Sequence, residues 1–299
     1  MACSFRAKYN VAEIDEAYAF DLTGCSFIGD PADGTVLFVT EKIGEQLKNL
    51  EGCRHCLVFV DEGVSVPPEL RRENCLVKCA DAQEAYGRYT RKIADREQKT
   101  ERNRKYTRTP EGYLLGENAV IGEDCWIEPG CMIGHDVVIG RRAEIRTGTV
   151  IRNTMIGDDF RCAEYTVIGT EAYFFAGEPK FRIPSFGRVV IGNQVEIGSH
   201  AVIERGFNSD TVLMDRVKLD AQVSLGHDDL LEEEVQMTCG ATLGGMVRVG
   251  RGAYIGMNAT VKQRLTIGEG ALVGMGASVI SNVKAHSSVF GNPARRFGS

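Results

Sequence analysis

His227 is the residue whose type and surroundings best fit proton transfer. It is one of five histidines in the chain, the others being His55, His135, His200 and His286. An imidazole exchanges its proton near neutral pH and can therefore act as a general base. The two aspartates that follow, Asp228 and Asp229, could raise the basicity of this imidazole or hold one of its tautomers. The alternative is an exposed surface histidine without a chemical role.

Gly245 follows His227 by eighteen residues, and because glycine has no side chain, its main-chain N–H is open to a ligand. In a β-coil with an eighteen-residue turn, the two residues would stack about 4.8 Å apart along the axis. An open N–H at that place can stabilise the negative oxygen that forms when a nucleophile attacks a carbonyl carbon. The spacing therefore predicts a base and an oxyanion donor on adjacent turns. The alternative is that Gly245, next to Gly244, is one more corner glycine.

A six-residue repeat supplies the coil that this pairing requires. Its period matches neither an α-helix nor an ordinary β-strand, and it is typical of a left-handed parallel β-helix in which three flat faces close each turn. The apolar residue of each repeat should point inward, and the glycine that often follows should supply a backbone conformation that a Cβ would hinder at the corner. The repeated positions are Ile121, Ile127, Ile133, Ile139, Ile145 and Ile151, then Ile156, Cys162 and Ile168 after a slip at Thr154, and later Leu213, Leu219, Leu225 and every sixth residue to Ala285.

The repeat is interrupted between Thr170 and Gly187 by a segment rich in aromatic residues. This segment contains Tyr173, Phe174, Phe175 and Phe181. Long loops that leave a regular scaffold are commonly functional, so we expect Tyr173 and Phe174 to contact substrate in a groove with His227. A hydrophobic lid that stabilises a contact between subunits is the alternative.

The first third of the chain has a different pattern and predicts a small α/β domain over residues 1–92. Strands are expected at 35–39, 56–60 and 76–78, with helices at 41–50 and from Asp81, which can cap its helix. Residues 93–112 are predicted to be a basic linker, and 113–299 the β-helix domain. The polar, basic stretch from Arg88 to Arg108 is typical of a solvated linker helix, and a clamp on a phosphate-bearing ligand is its alternative.

Composition narrows the function classes. The formal net charge of −6 argues against a nucleic-acid binder, and no apolar run is long enough to predict a membrane span. The first eight residues lack an apolar signal core, so the predicted compartment is the cytoplasm, where cysteines stay reduced.

A zinc ribbon formed by Cys53, Cys56, Cys75 and Cys79 is the alternative to packing of these thiols in a core. His135, His200 and His227 are too scattered to form a three-histidine zinc site, so we predict no metal.

Several motifs resemble the UDP-3-O-acylglucosamine N-acyltransferases of lipid A synthesis. The matching segments are 183–198, Glu204-Arg205-Gly206 with Asp210-Thr211, and Ser224-Leu225-Gly226-His227, with looser likeness at 34–39 and 81–86. The resemblance implies a homotrimer in which His227 deprotonates the amine of a nucleotide-linked amino sugar. The Gly245 N–H would then stabilise the oxyanion formed on an acyl thioester, and Phe38 would stack on the pyrimidine base. The family uses acyl carrier protein as acyl donor and needs no tightly bound cofactor.

The sequence also departs from this family at three places. Glu41 and Ile43 replace an asparagine and a tyrosine that follow the uridine-binding phenylalanine, and Arg264 replaces a second histidine, where it would contact substrate. The segment Gly291-Asn292-Pro293-Ala294-Arg295 is similar to the closing segment of coenzyme A-dependent hexapeptide acetyltransferases. A coenzyme A-dependent N-acyltransferase for another nucleotide amino sugar and a catalytically inactive scaffold are therefore the alternatives.

Overall fold

The computed structural model describes residues 3–293 and 295–297, which form two units. The first unit comprises the chain up to Asn103 together with Tyr173–Gly187 and Phe207–Ser209. The second comprises Arg104–Ala172, Arg188–Gly206 and the chain from Asp210 onward. The range 93–112, which the sequence assigned to a linker, is thus divided between a helix of the first unit that ends at Glu101 and a strand of the second at Tyr106–Arg108.

A five-stranded sheet forms the centre of the first unit. Its strands, in sheet order, are β1 (Cys3–Asn10), β2 (Asp21–Cys25), β3 (Thr35–Val39), β4 (Leu57–Asp61) and β5 (Cys75–Cys79), with β1 antiparallel to β2 and the others parallel. The helix α1 (Ala82–Glu101) packs on β3 and β4. Short 3₁₀ helices lie at Val11–Glu13, Glu41–Leu50 and Pro68–Arg72. The segment 173–187 adds a two-stranded hairpin of Phe175–Ala176 and Phe181–Arg182.

Local sequence signals located part of this unit correctly. The strand Thr35–Val39 is confirmed, and Asp81 caps α1 through a carboxylate oxygen 2.8 Å from the Glu84 N–H. The expected helix at 41–50 is a 3₁₀ segment broken at Ile43, where φ is −124° and ψ is 17°. β1 and β2 were not predicted, although Cys3, Phe5, Ala7 and Tyr9 alternate with polar residues along β1, which is the pattern of a half-buried strand.

The second unit is the predicted left-handed parallel β-helix, with three faces. Face 1 contains Tyr106–Arg108, Leu114–Gly116, Met132–Ile133, Val150–Ile151, Val167–Thr170, Val202–Glu204, Ser224–Leu225, Thr242–Leu243, Thr260–Val261 and Ser278–Val279. Face 2 contains Val120–Ile121, Val138–Ile139, Thr154–Ile156, Val189–Ile191, Thr211–Leu213, Leu230–Leu231, Arg248–Val249 and Thr266–Ile267. Face 3 contains Trp126–Ile127, Glu144–Ile145, Arg161–Cys162, Glu196–Ile197, Lys218–Leu219, Gln236–Met237, Tyr254–Ile255, Leu272–Val273, Ser288–Phe290 and Arg295–Phe297.

Strand register explains the irregularities of the repeat. In regular turns each strand pairs with the one eighteen residues later, as Leu225 does with Leu243. The slip at Thr154 is a turn shortened by one residue, because Ile139 pairs with Ile156. The prediction that the inward column ends at Ala285 is wrong: Ala285 is exposed, and Val283 is buried in the last turn because it bridges to Ile267.

The glycine of each repeat is required by close approach rather than by its own dihedral angles. A Cβ placed on Gly226 would stand 2.5 Å from the main-chain nitrogen of Gly245 on the next turn. The positive φ of the corner falls two residues later, at Asp228, whose φ is 59°. The expected conformational role of these glycines is therefore wrong here, since Asp, Asn, Arg and Gln residues adopt the left-handed conformation instead.

Candidate active site

His227 lies where the chain turns from face 1 to face 2, a turn that we call the first corner. The strand Ser224–Leu225 ends immediately before it, and the Leu225 side chain points into the aliphatic column with no exposed surface. The His227 side chain lies outside that column and is 13% exposed. The six-residue period thus positions an imidazole at the surface of a rigid scaffold.

Asp228 holds the imidazole through its Nδ1 atom. One Asp228 carboxylate oxygen lies 2.6 Å from His227 Nδ1, and the Asp228 side chain is only 3% exposed. The Asp228 N–H donates to the Thr211 hydroxyl at 2.9 Å, which fixes the corner to the preceding turn. A carboxylate can only accept from Nδ1–H, so this contact selects the tautomer in which Nε2 is the unprotonated, basic nitrogen.

Gly245 stands directly against the imidazole on the next turn. A Cβ placed on Gly245 would lie 2.7 Å from His227 Nε2, and the Met246 N–H donates to the His227 carbonyl at 2.8 Å. The positive φ of this corner belongs to Met246 and not to Gly245. The imidazole therefore requires glycine at this position, which distinguishes Gly245 from the ordinary corner glycine Gly244, whose Cβ would meet the backbone of Gln263.

The Gly245 N–H has no hydrogen-bond acceptor among the described residues. Its neighbours differ, because the Gly244 N–H donates to Val261 and the Met246 N–H to His227. A main-chain donor beside a basic nitrogen is the arrangement that stabilises an oxyanion while the base accepts a proton. Arg264 lies at the same corner one turn further; it is exposed, and its N–H donates to the Gly245 carbonyl at 3.0 Å.

Asp229, the second aspartate considered beside His227, faces inward instead. It has no exposed surface, its Oδ1 accepts the Val247 N–H at 2.8 Å, and its Oδ2 has no partner among the described residues. Burial raises its pKa well above the usual range. The sequence contains a signal for this inward orientation. The residues one and two eighteen-residue turns after Asp229 are Val247 and Leu265, and apolar residues at this spacing are expected to face the core.

The predicted aromatic contacts lie in the first unit. The Phe38 ring is half-buried with its centroid 5.0 Å from that of Tyr86 on α1. Phe174 packs on Phe207 at 4.5 Å, whereas Tyr173 is 76% exposed. The hairpin contacts α1 at Gly87, where a Cβ would lie 3.0 Å from Ile183. The aromatic segment is therefore an ordered part of the α/β unit.

Ion pairs occupy the motif that precedes His227 along the chain. Asp210, which is buried, accepts hydrogen bonds from the main-chain nitrogen and the guanidinium of Arg188, each at 2.9 Å. Arg205 pairs with Glu171 at 3.3 Å. These contacts fasten successive turns of the β-helix to one another at the points where the chain leaves and rejoins it.

The remaining candidate ligand groups do not assemble. Within residues 3–293 and 295–297 no group of three or more His, Cys, Asp and Glu side chains is arranged to hold a metal ion. Cys56 and Cys75 are buried, and burial raises the pKa of each thiol to about 11. In the same part of the chain, no helix is long and apolar enough to cross a membrane.

Comparison with known proteins connects this geometry to a family of transferases. The model of the bacterial transferase hexapeptide family, which describes six repeats, matches residues 118–153. UDP-3-O-acylglucosamine N-acyltransferase 1 of Nitrobacter winogradskyi is 40% identical over 84 residues, covering 27% of this chain and 23% of the relative. The enzyme of that name from Pseudomonas putida strain F1 is 34% identical over 117 residues, covering 38% and 28%. The match therefore spans about a quarter of these relatives' length.

Solved structures extend the likeness to about three-fifths of the chain. UDP-N-acetylglucosamine acyltransferase of Campylobacter jejuni superposes with a TM-score of 0.58 and 25% identity, covering 63% of this chain and 73% of that one. The Francisella novicida enzyme gives a TM-score of 0.59 and 26% identity, covering 62% and 68%. The chain is a hexapeptide-repeat β-helix protein, similar in sequence to UDP-3-O-acylglucosamine N-acyltransferases and in fold to UDP-N-acetylglucosamine acyltransferases.

Proposed function

We propose that this protein is an N-acyltransferase that moves an acyl group from a thioester to the amine of a nucleotide-linked amino sugar, as in lipid A synthesis. The observation that carries the proposal is that Gly245, whose N–H has no acceptor among the described residues, lies against His227 Nε2 on the adjacent turn. The sequence relatives named as N-acyltransferases support an amine, rather than a hydroxyl, as the acceptor.

The residues divide the reaction between them. Nε2 of His227 takes a proton from the amine as the amine nitrogen attacks the thioester carbonyl carbon. The oxygen of the tetrahedral intermediate becomes negative and accepts a hydrogen bond from the Gly245 N–H. When the C–S bond breaks, the imidazolium returns the proton to the departing thiolate. Asp228 stabilises the positive charge that the ring carries between these two steps.

Four side chains are proposed to contact the substrates. Phe38, on a strand of the first unit, would stack on the pyrimidine base, and Tyr173 and Phe174 would contact the sugar or the acyl chain. Arg264 is an exposed cation two turns beyond Asp228, suited to a phosphate of the nucleotide or of the donor. Acyl carrier protein and coenzyme A both present their acyl group as a thioester of a phosphopantetheine arm, so either would fit the proposed chemistry.

The proposed assembly is a homotrimer with its sites between subunits, and outward side chains support it. The proposed compartment is the cytoplasm. Faces 1 and 2, which flank the first corner, carry ladders of apolar outward residues. Face 3 carries the ion pairs Arg161–Glu144 and Lys218–Glu196 together with the exposed Trp126, Tyr254 and Leu272. Exposed or half-buried apolar ladders of this length are typical of interfaces. The outward ladder of face 2 is Val120, Val138, Met155, Val190, Val212 and Leu230, and that of face 1 is Leu114, Met132, Val150, Val167 and Val202.

A coenzyme A-dependent enzyme for another nucleotide amino sugar is the second candidate. The observation that favours it is the pair of departures at Glu41 and Ile43, next to the proposed base-stacking Phe38. The closing segment that resembles coenzyme A-dependent enzymes includes Ala294, which lies outside the described residues. An inactive scaffold is the remaining alternative.

One experiment separates these functions. The purified protein is offered UDP-linked amino sugars with acyl-acyl carrier protein and acyl-coenzyme A donors in parallel, and the products are identified by mass spectrometry. We expect an N-acylated sugar nucleotide with at least one donor and none with His227→Ala. Undiminished product with His227→Ala contradicts the assignment of the base. Absence of product and of calorimetric binding with every substrate supports the scaffold.

A further inference from the structure

Asp229 places a carboxyl group at an inward position that apolar side chains, those of Val247 and Leu265, occupy on the next two turns. The register pairs Val212 with Leu230 and Leu230 with Arg248, so Asp229 lies between Thr211 and Val247 along the column. Asp229, Thr211 and Val247 each have no exposed surface. An inward carboxyl is costly to bury, so its presence beside the candidate base calls for a physical role.

The hydrogen bonds of this carboxyl connect the two segments that form the site. Its Oδ1 accepts the N–H of Val247, which follows Gly245 by two residues. The adjacent rung of the same corner is the bond from the Met246 N–H to the His227 carbonyl, at 2.8 Å. Leu265 occupies the equivalent position one turn after Val247. Its apolar side chain has no atom that could accept a hydrogen bond from a main-chain N–H on the adjacent turn.

The carboxyl groups of the two neighbouring aspartates have different environments. Burial holds the pKa of Asp229 well above its usual range; the main-chain N–H groups of Val247 and Gly226 oppose this effect, and the charges of Asp228 and Glu204 add to it. Asp228 contacts His227 Nδ1, whereas Asp229 accepts the Val247 N–H. The two adjacent carboxyl groups thus contact the two segments of the site, Asp228 the imidazole and Asp229 the main chain that follows Gly245.

We propose that Asp229 is a positioning residue whose buried carboxyl, bonded to the Val247 amide, holds Gly245 in register against the imidazole of His227. This inference rests on the proposed acyl transfer, since the register matters only if the imidazole and the Gly245 N–H act on one substrate. An uncharged acceptor of the same shape fulfils the role, so the function belongs to the Oδ1 atom and not to a negative charge.

Three variants test the proposal. Asp229→Val removes the acceptor and matches the apolar residue of the next turn, whereas Asp229→Asn keeps an uncharged acceptor. Thr166→Val is the matched control, because the buried Thr166 hydroxyl bonds to the Gly198 carbonyl at 2.9 Å across adjacent turns elsewhere in the β-helix. We expect Asp229→Val to lower kcat at least about tenfold with KM within about twofold of wild type, and the other two variants to stay within about threefold.

A second readout needs no substrate. Because the Gly245 Hα protons lie against the imidazole ring, their NMR shifts report its position. These shifts, and the exchange rate of the Val247 amide, should change in Asp229→Val and not in Asp229→Asn or Thr166→Val. Wild-type kcat or unchanged Gly245 shifts in Asp229→Val overturn the proposal, as does an Asp229→Asn variant as impaired as Asp229→Val. If the wild-type protein transfers no acyl group, the proposed function fails while the NMR comparison still decides the positioning role.

Discussion

The same tripeptide, Gly-His-Asp, occupies the first corner twice in this β-helix, at residues 134–136 and 226–228, with different outcomes. In both, the aspartate adopts positive φ, 59° at Asp136 and 59° at Asp228. At the first copy, His135 Nδ1 accepts the Glu117 N–H at 2.8 Å, and its ring lies 4.3 Å from that of Tyr106. At the second copy, His227 Nδ1 contacts the Asp228 carboxylate.

The adjacent turns cause this difference. Acceptance of a main-chain N–H at Nδ1 forces the proton of a neutral His135 onto Nε2, so that ring serves as a structural acceptor. Asp136 is unable to compete for Nδ1 because it accepts from Arg104 at 2.9 Å and from Asn118 at 3.2 Å. His227 carries its proton on Nδ1 and leaves Nε2 against Gly245. A local motif therefore does not define a site in a β-helix; the turns above and below it do.

The largest expected effect separates the two histidines. His227→Ala should lower kcat by about 10²–10⁴-fold, because it removes the base. His135→Ala should leave kcat within about twofold and lower the melting temperature, because it removes a buried hydrogen bond. Steady-state kinetics and thermal unfolding of both variants check this. Equal losses of activity in the two variants would show that the corners are not functionally different.

Gly245→Ala should have the next largest effect. Its Cβ would stand 2.7 Å from His227 Nε2, so the ring must move away from the oxyanion donor, and we expect kcat to fall about 100-fold. Gly252→Asn is the control, since nothing lies within 4 Å of that position and asparagine tolerates its φ of +63°. Kinetics should show a loss of kcat for the first variant alone; unchanged kcat in Gly245→Ala would remove Gly245 from the mechanism.

Asp228→Asn should lower kcat by roughly tenfold or more, because an amide can donate to Nδ1 and thereby stabilise the wrong tautomer. The corresponding change at the other corner, Asp136→Asn, should leave kcat unchanged within about twofold, since Asp136 pairs with Arg104. Both rates are measured at saturating substrate. Full activity in Asp228→Asn would show that the carboxylate does not select the tautomer.

The smallest expected effects concern stability as a function of pH, and they have opposite signs at the two corners. The pKa of Asp229 is raised by burial, so folded protein retains a proton that the unfolded chain loses near pH 4, and this group lowers stability as pH rises above that value. Asp229→Asn should lack this decline.

The pKa of Glu117 is lowered, chiefly by the Lys105 N–H, so the stability that this carboxylate contributes is lost as the pH falls below the usual pKa of a glutamate. Glu117→Gln should lack that loss. Urea unfolding between pH 3 and 8 tests both; identical profiles for wild type and Asp229→Asn would contradict the raised pKa.

The repeat made most of the β-helix predictable. Its inward column follows from aliphatic residues at a fixed spacing, and the eighteen-residue turn predicts from the sequence alone that Gly245 lies beside His227. Ala285 was assigned wrongly because the last turn is shorter than the repeat and buries Val283 instead. A period alone carries no information about such shortening.

Other features depended on contacts that a single sequence does not reveal. The different states of His135 and His227 arise at Nδ1, because the Glu117 N–H, eighteen residues earlier in the chain, donates to His135 whereas Asp228 contacts His227. Asp229 looked equivalent to Asp228 in the sequence, yet one faces the ring and the other the core, because successive residues at the corner point in different directions.

The tautomers of the two imidazoles give the most direct test of this account. Nitrogen-15 NMR of histidine-labelled protein, at a pH where both rings are neutral, distinguishes a protonated from an unprotonated ring nitrogen, and His135→Ala and His227→Ala assign the signals. The account predicts a proton on Nδ1 of His227 and on Nε2 of His135. A proton on Nε2 of His227 would leave no basic nitrogen beside Gly245 and would contradict the proposed chemistry.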